Sequence, residues 1–595
     1  MPDIEQLRHR EQKVISLGSH PGIIQSMLDY DYLIGHDKPS IIAIITGGHK
    51  QERYFWGEGE LTVPVYGSLD SLPDSIKLSI TAVINVSSAR RVLSSMKEAI
   101  DVLPLLQIAV IFAEQTPESH ALEIDKLVAK KDILIIGPSS VGLLIAGHLK
   151  IGAIGGTQHE QLTSANIIEA GGVAVLSTSG GVVNELIRMV TGTGLGISFA
   201  LAVGGDTHPL TTPAQAVMLA QKDKMTKTIV YFGELGGKDE YEIAELIHQK
   251  KITKDVIVHV AGVVAELFEE PPQFGHAKAF AETVDESAAA KKVVLRKSGA
   301  IVCETFADIR TELLSRVDVP LKRTDQTIGG RRHAMIVSHI SGENEGNMQL
   351  LGEDLLSVVA AHSIASLTLS LLLGKQVTSK RAVECMDFIL RVLMDHGPSV
   401  SGAVNTVIAA RAGKDLVSSL ASGLLTVGPR FGGALNAAAG EWLKGVSDAE
   451  TPRAFVESFV QRGGVIPGIG HKKYRGDAPD PRIEALKKFT GNSNGDRYFT
   501  FASRVADITI AKKNNLILNV DGAIAAIMLD ILESELGYTH QQLQELVTIE
   551  FFNALFVVSR SVGFTAHYID QRRHDEGLFR LPDSEVSYII GSTNE

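Results

Sequence analysis

His276 follows the rigid loop Pro271-Pro272-Gln273-Phe274-Gly275 and precedes a helical run, AKAFAETVDESAAAKKVVLRKSG. An imidazole can take a phosphoryl group on one nitrogen while a carboxylate holds the other and fixes its orientation. Glu234, in YFGELGG at a strand end, is the carboxylate assigned to that role. Ser179, Gly180 and Gly181 leave an apolar run and open a helix. Such a turn makes a phosphate-sized nest, in which glycines permit close backbone approach and a serine adds a hydroxyl donor. His396 in MDHGPSVSG, His471 in PGIGHKKY and Asp521 in LNVDG add three acid–base groups beside helix ends and glycine turns. Taken singly, each of these residues also has an ordinary use as a helix cap or a packing residue.

Such groups need scaffolds to bring them together. From Ile41 to about Ala261 the runs IIAIIT, AVINVS, IAVIFAE, DILIIG, GVAVLSTSGG, GISFALAVGGD, TIVYFGELGG and DVIVHVAG alternate with helix-length segments. This spacing predicts two consecutive doubly wound α/β domains whose parallel sheets are covered on both faces. Ligands of such sheets bind beyond the carboxyl ends of the strands, where the glycines of this chain lie. Thr46, Gly47, Gly48, His49 and Lys50 follow the first of these runs without forming a GxGxxG fingerprint, which argues against NAD and leaves an ordinary βα turn as the alternative.

After about Val317, VDVPLKRTDQTIGGRRHAMIVSHISGENEGN reads as a linker whose Lys322, Arg323, Arg331 and Arg332 form a solvated connection. Amphipathic helical patterns then run to Asp583 and predict an all-α domain. The expected fold class is therefore α/β followed by all-α. The stretch LSVVAAHSIASLTLSLLLG, interrupted by His362 and serines, is expected as a buried helix rather than a membrane span.

At 595 residues, 44% hydrophobic and 21% charged, the chain has room for three or four domains of about 100 to 200 residues each. A net charge of −12 without a long Lys/Arg run argues against a nucleic-acid surface. Two cysteines, Cys303 and Cys385, and an N-terminus unlike an export signal give the expectation of a reducing cytosol. The acid–base residues lack a compact metal-ligand spacing, so no metal is expected.

The series TGGHK, GPSSVG, STSGG, GELGG and FGHAKA resembles the α subunits of succinyl-CoA synthetase and, more closely, the corresponding section of the ATP-citrate lyase family. The resemblance implies a Rossmann-like CoA-binding domain over 1–155, with Thr46, Gly47, Gly48 and Lys50 toward CoA. It implies a flavodoxin-like CoA-ligase domain over 156–318, with His276 phosphorylated, Glu234 its partner and Ser179 to Gly181 the phosphate cradle. Ser140 stands where the synthetase has a cysteine in GPNCPG.

Beyond a linker over 319–345, residues 346–595 resemble citrate synthase through ARAGKDLVSSLASGLLTVGPRFGGAL, NLILNVDG, SRSVGF and HYIDQRR. Phe431 replaces the histidine of the synthases' GPLHGGA, which favours a citryl-CoA lyase type. This second resemblance implies cleavage of citryl-CoA between C2 and C3, with His471 as hydroxyl base, His396 as enol stabiliser and Asp521 as proton donor. Arg482, Arg560 and Arg580 would hold the carboxylates of oxaloacetate, Arg580 in a neighbouring subunit's site. Lys472 follows His471 where family lyases often have arginine.

The chain has no GKS or GKT phosphate loop and no segment assignable to an ATP-grasp domain. A phosphohistidine therefore implies a separate β subunit that binds ATP and Mg²⁺. The expected overall reaction turns citrate, CoA and ATP into acetyl-CoA, oxaloacetate, ADP and phosphate through citryl-CoA, with four copies packed through the C-terminal domain. Two rival readings are a citryl-CoA lyase or citrate synthase with a vestigial ligase half, and a CoA-binding scaffold without turnover.

Overall fold

The computed structural model describes every residue except 49, 269–278, 282, 318–327, 345, 429–430, 432, 449–450, 491–495 and 588–595. His276, the expected phosphorylation site, lies outside the described residues. The chain divides into two compact units, Met1–Met335 and Ile336–Glu595.

The first unit holds two seven-stranded sheets. One comprises β1 (Val14–Leu17), β2 (Ile41–Ile45), β3 (Gln51–Trp56), β4 (Gly59–Tyr66), β5 (Ala82–Asn85), β6 (Ile108–Ile111) and β7 (Leu134–Ile136), in the order β3-β4-β2-β1-β5-β6-β7. All neighbours are parallel except the β3–β4 hairpin. The sheet's central strand is β1, four residues long and wholly buried. The chain builds outward from it to β2 and then crosses to β5 on its other side, so the topological switch lies between β1 and β5.

The other sheet comprises β8 (Gly142–Ile145), β9 (Leu149–Gly152), β10 (Val173–Ser177), β11 (Ile197–Ala202), β12 (Thr228–Glu234), β13 (Asp255–Ala261) and β14 (Ile301–Val302), in the order β14-β13-β12-β10-β11-β8-β9. Its switch lies between β10 and β12. The β8–β9 hairpin precedes residue 155 yet pairs antiparallel with β11, so the second sheet begins at Gly142.

Polar ties join the elements of this unit. The Tyr30 hydroxyl donates to Ile167 O at 3.0 Å and accepts from Gly147 N–H at 2.9 Å. Arg8 pairs with Asp223 at 2.8 Å. Lys150 is fully buried and donates to Ser26 Oγ and Gly152 O, both at 2.6 Å; burial pushes its ammonium down to about 7 against the attraction of Asp29 and Asp31.

The presumed linker is not wholly solvated. Arg331 forks onto Asp29 at 2.6 and 3.1 Å, donates to Gly57 O and lies over the Phe55 ring, while Ala334 N–H and His333 meet Glu60. The Ala334 N–H, His333 and Arg53 hold the Glu60 carboxyl down to about 2. A bidentate guanidinium–carboxylate contact beside an aromatic ring is a specific dock rather than a loose connection.

In the second unit a meander of three short strands, Ser341–Asn344, Asn347–Leu350 and Glu353–Asp354, occupies part of the expected linker. Helices follow, as the periodicity predicts. The expected single buried helix is instead two, Leu355–Ala361 and Ile364–Leu373, broken where His362 Nδ1 meets Ser366 Oγ; Leu356 and Ile364 are 75% and 78% exposed.

The core gathers around helix Val520–Ser534, buried along most of its length against helices Ala434–Ser447 and Arg497–Lys512. Each fully buried aliphatic side chain there contributes about 1.5–3 kcal/mol. Among the described residues no single helix is long and apolar enough to cross a membrane.

Candidate functional site

The second sheet's switch point brings together residues that the sequence singled out. β10 ends at Ser177 and β12 at Glu234, and the Thr178 hydroxyl donates to Glu234 Oε1 at 3.3 Å across the gap. Ser179 is the N-cap of helix Gly180–Gly192 but makes no side-chain capping bond. Its backbone is held by Ser177, whose Oγ donates to Ser179 O and accepts from Ser179 N–H. The helix therefore keeps first-turn N–H groups for a ligand, at the positive end of its dipole.

The two glycines differ in purpose. A Cβ on Gly180 would meet Val141 Cγ1 at 2.6 Å, whereas one on Gly181 would meet nothing within 4 Å. Gly180 is thus small for packing, and Gly181 leaves room at the crevice. Gly204, Gly205, Gly236 and Asp239 line the same cleft beside Thr178 and Glu234. Gly236 and Gly237 take φ of +87° and +61°, so the turn after Glu234 uses a left-handed backbone that glycine adopts without strain.

In the first sheet Thr46, Gly47, Gly48 and Lys50 sit at the end of β2. Thr46 N–H donates to Tyr66 O, and Lys50 O accepts from Val65 N–H. The glycines between them face open space. The switch point, however, is one strand away. There Gly18, at φ +94°, would place a Cβ 3.3 Å from Ser87 N, and helix Pro21–Leu33 starts with Pro21 in its first turn and His20 Nδ1 accepting from Ile23 N–H. Gly18 to Gly22 and Ser87 are not among the residues expected at the first sheet's site. The signal was Gly-Ser-His-Pro-Gly directly after VISL and before a helix.

In the second unit the two segments that carry His471 and Asp521 zip together through their backbones. Gly470 N–H donates to Ile517 O at 2.6 Å, His471 N–H to Asn515 O at 3.0 Å and Asn519 N–H to Gly468 O at 2.9 Å. Asn519 also caps helix Val520–Ser534 through Gly522 N–H and donates its amide to Gly470 O, both at 3.0 Å. The backbones touch at Gly468 and Gly522, where a Cβ on Gly522 would lie 2.6 Å from Gly468 O. Trp442, fully buried, donates its indole N–H to Gly522 O. Asn519 and this glycine pair were missed as site residues, because neither reacts.

Helix Phe551–His574 supplies the other wall. Arg560, Gly563 and His567 share one face of it. His567 Nε2 meets Asp395 Oδ1 at 3.0 Å, and a Cβ on Gly563 would meet Met394 O at 2.2 Å, so this face docks against the loop that carries His396. Arg560 is 3% exposed, stacks over Phe556, and finds no hydrogen-bond partner for Nε or Nη1 among the described residues. A buried guanidinium with donors unspent is built to receive an anion. Arg482 is forked onto the buried Asp480.

Charges within the cluster act on one another's ionisation. Burial pushes Asp521 up to about 6 against the pull of Arg482 and Arg560. Burial lowers His396, helped by Arg482, Arg560 and His471; burial also lowers His471, opposed by Asp480. Both imidazoles are therefore neutral at pH 7. His471 Nδ1 accepts the N–H groups of Lys473 and Tyr474, each at 3.0 Å, which puts the proton of the neutral ring on Nε2. That geometry opposes the expected use of His471 as a base: Nε2 meets a ligand as a donor.

Lys472 is exposed, and so is Arg580, in the segment after this helix. The structure thus gathers His396, His471, Asp521, Arg482 and Arg560.

Residues 332–581 match the family model of the citrate synthase C-terminal domain, and residues 176–301 that of CoA-ligase. ATP-citrate synthase subunit 1 of Sordaria macrospora is 35% identical, over 97% of this chain and 89% of that protein. ATP-citrate synthase beta chain protein 1 of Arabidopsis thaliana is 35% identical, over 95% of this chain and 96% of that one. The ATP-citrate synthase of Mus musculus is also 35% identical, but the chain spans only 55% of its length, as it does for the Caenorhabditis elegans relative. A solved structure of ATP citrate lyase from Methanothrix soehngenii, in complex with citrate and coenzyme A, superposes with TM-score 0.51 at 31% identity over 98% of each chain.

Proposed function

The chain belongs to the ATP-citrate lyase family, and on that premise we propose that it is the subunit that, with a separate ATP-grasp partner, converts citrate, CoA and ATP to acetyl-CoA, oxaloacetate, ADP and phosphate. The observation that carries the reading is the second-unit cluster, where a buried, unspent guanidinium stands beside a high-pKa carboxyl and two neutral imidazoles. A dicarboxylate product and an enolate intermediate need such groups.

In the ligase half the partner's ATP, with Mg²⁺, phosphorylates His276. A citrate carboxylate takes the phosphoryl group, and the CoA thiol displaces phosphate to leave citryl-CoA. Glu234 orients the imidazole, and the start of helix Gly180–Gly192 holds the phosphate.

In the lyase half Asp521, ionised above about pH 6, takes the hydroxyl proton from C3. The C2–C3 electron pair becomes the thioester enolate, C3–O becomes a carbonyl, and Asp521 returns the proton to C2. His471 Nε2–H steadies the C3 oxygen and His396 the enolate oxygen. Arg560 and Arg482 hold the carboxylates, and Arg580 completes the site of a neighbouring copy, so the active form is an oligomer. The proposed setting is a reducing cytosol, in which the buried thiols Cys303 and Cys385, pushed up by burial to about 11 and 12, stay protonated.

The test separates the halves. The purified chain should cleave citryl-CoA alone and form acetyl-CoA from citrate only with the partner, ATP and CoA. Intact ATP-dependent turnover in His276→Ala, together with intact citryl-CoA cleavage in His471→Ala, would overturn the assignment.

A further inference from the structure

Behind Glu234 lies a buried ion pair that no step of this chemistry uses. Lys291, on helix Ala288–Ser298, is 1% exposed, and its ammonium stands 2.5 Å from Glu240 Oε2, itself on a residue 2% exposed. The same nitrogen donates to Glu234 O at 2.7 Å and Gly236 O at 2.6 Å. Two of the three ammonium N–H bonds thus go to main-chain carbonyls, while Glu240 Oε2 meets the cation as an ion pair without a hydrogen bond. Glu240 is fixed in turn by the Tyr231 hydroxyl, which donates to Oε1 at 2.9 Å from within β12.

The turn after Glu234 is also held through its N–H groups. Gly236 N–H donates to Glu286 O at 2.9 Å, and Leu235 N–H to Ala261 O at 3.0 Å. Segment 286–291 therefore grips the 234–236 turn by a carbonyl and an ammonium together. A buried ion pair adds little net stability over apolar residues of the same volume, so stability alone is a weak reason for it. What distinguishes this one is that its cation reaches past Glu240 to the main chain on either side of Leu235.

We propose that Lys291 is a positioning residue for Glu234: it fixes the peptide carbonyls of the turn so that the Glu234 carboxylate stays across the β10/β12 crevice from Thr178. The inference rests on the reading of Glu234 as the group that orients the phosphorylated imidazole. It adds that this orientation is set from behind, by the helix that follows the His276 segment.

The test uses the complex with the ATP-grasp partner and [γ-³²P]ATP. Lys291→Met with Glu240→Gln removes both buried charges, and Glu240→Gln alone keeps an acceptor for Lys291. The double variant should melt near the wild type and cleave citryl-CoA at the wild-type rate, yet phosphorylate at least tenfold more slowly, with faster amide exchange at Leu235 to Gly237. Glu240→Gln should phosphorylate normally.

A double variant that phosphorylates at the wild-type rate with unchanged exchange overturns the proposal, as does equal slowing by Glu240→Gln. Should the double variant not fold, Lys291→Arg decides, because a planar guanidinium cannot reproduce the ammonium's contacts with both carbonyls and Glu240: slowed phosphorylation supports the proposal, and a full rate overturns it. A wild-type complex that carries no phosphohistidine refutes the reading of the ligase half, and the exchange rates still decide whether Lys291 holds the turn.

Discussion

Gly522→Ala tests whether the backbone contact between Gly468 and Gly522 sets the spacing of the segments that carry His471 and Asp521. The new Cβ would lie 2.6 Å from Gly468 O, 2.8 Å from Gly468 Cα and 2.9 Å from Leu518 Cδ1. Carbon contacts are comfortable at about 3.5 Å, so the two segments must part by roughly 0.8 Å. The obstacle is main chain, held by the Gly468–Asn519 and Gly470–Ile517 hydrogen bonds, and it cannot swing aside as a side chain could.

Such overpacking costs about 1–3 kcal/mol, and in a domain of this size each kcal/mol lowers the melting temperature by about 2–4 °C. The kinetic effect should be larger, because a misplacement near 1 Å costs about 10²-fold. Citryl-CoA cleavage, followed by oxaloacetate release, should thus fall about a hundredfold in a protein that still folds. Phosphorylation of the ligase half should be unchanged. Wild-type kcat/KM in the variant would refute the argument, and so would parallel loss of phosphorylation, which would point to general unfolding.

Further outcomes concern single groups. The kcat/KM for citryl-CoA cleavage should rise with pH with a midpoint near 6, the value to which burial lifts Asp521, and Asp521→Asn should lose about 10²–10⁴-fold; a fall through pH 6 instead would make Asp521 the initial donor and return the base role to a histidine. Because the folded-state value of Asp521 lies above its unfolded one, ionising it opposes folding, and stability is lost as pH climbs from about 4 to 6. Asp521→Asn should therefore melt higher than the wild type at pH 7.5 and level with it below pH 4 in thermal scans.

Arg560→Met should raise the melting temperature of the empty enzyme by removing a buried cation with unspent donors, yet cut citryl-CoA cleavage by about 10²-fold or more; a lower melting temperature would mean that the cation is already satisfied. Gly180→Ala should destabilise through the Val141 contact, whereas Gly181→Ala should fold normally and slow phosphorylation; equal melting losses in calorimetry would contradict that division.

The sequence carried the broad architecture because parallel strands buried on both faces print as continuous apolar runs, and all eight of the runs named became strands. It hid β1 because four residues between Lys13 and Gly18 make no period, although that strand sets the first switch point. It hid the β3–β4 hairpin because a half-exposed edge carries polar residues such as Gln51, Glu52 and Glu60. The docked Arg331 was unreadable for another reason: its partner Asp29 is 302 positions away, and nothing local marks a long-range pair.

The reactive groups of the lyase cluster were legible by type, whereas the residues that space them were not. Asn519 and the Gly468–Gly522 contact act through backbone geometry that exists only after folding. The proton on His471 was equally hidden, since two main-chain N–H groups decide it.

Helix Phe551–His574 carries the buried guanidinium of Arg560 and, a turn or two later, Gly563 and His567 against the loop of His396. With the roles proposed above, one rigid rod sets both the grip on a carboxylate and the stance of an imidazole. An effector, a subunit contact or a mutation that tilts this helix cannot change one without the other, so affinity and turnover in the lyase half should rise and fall together. Natural or engineered tuning of substrate range would then come from the flanking loops, with this helix left alone.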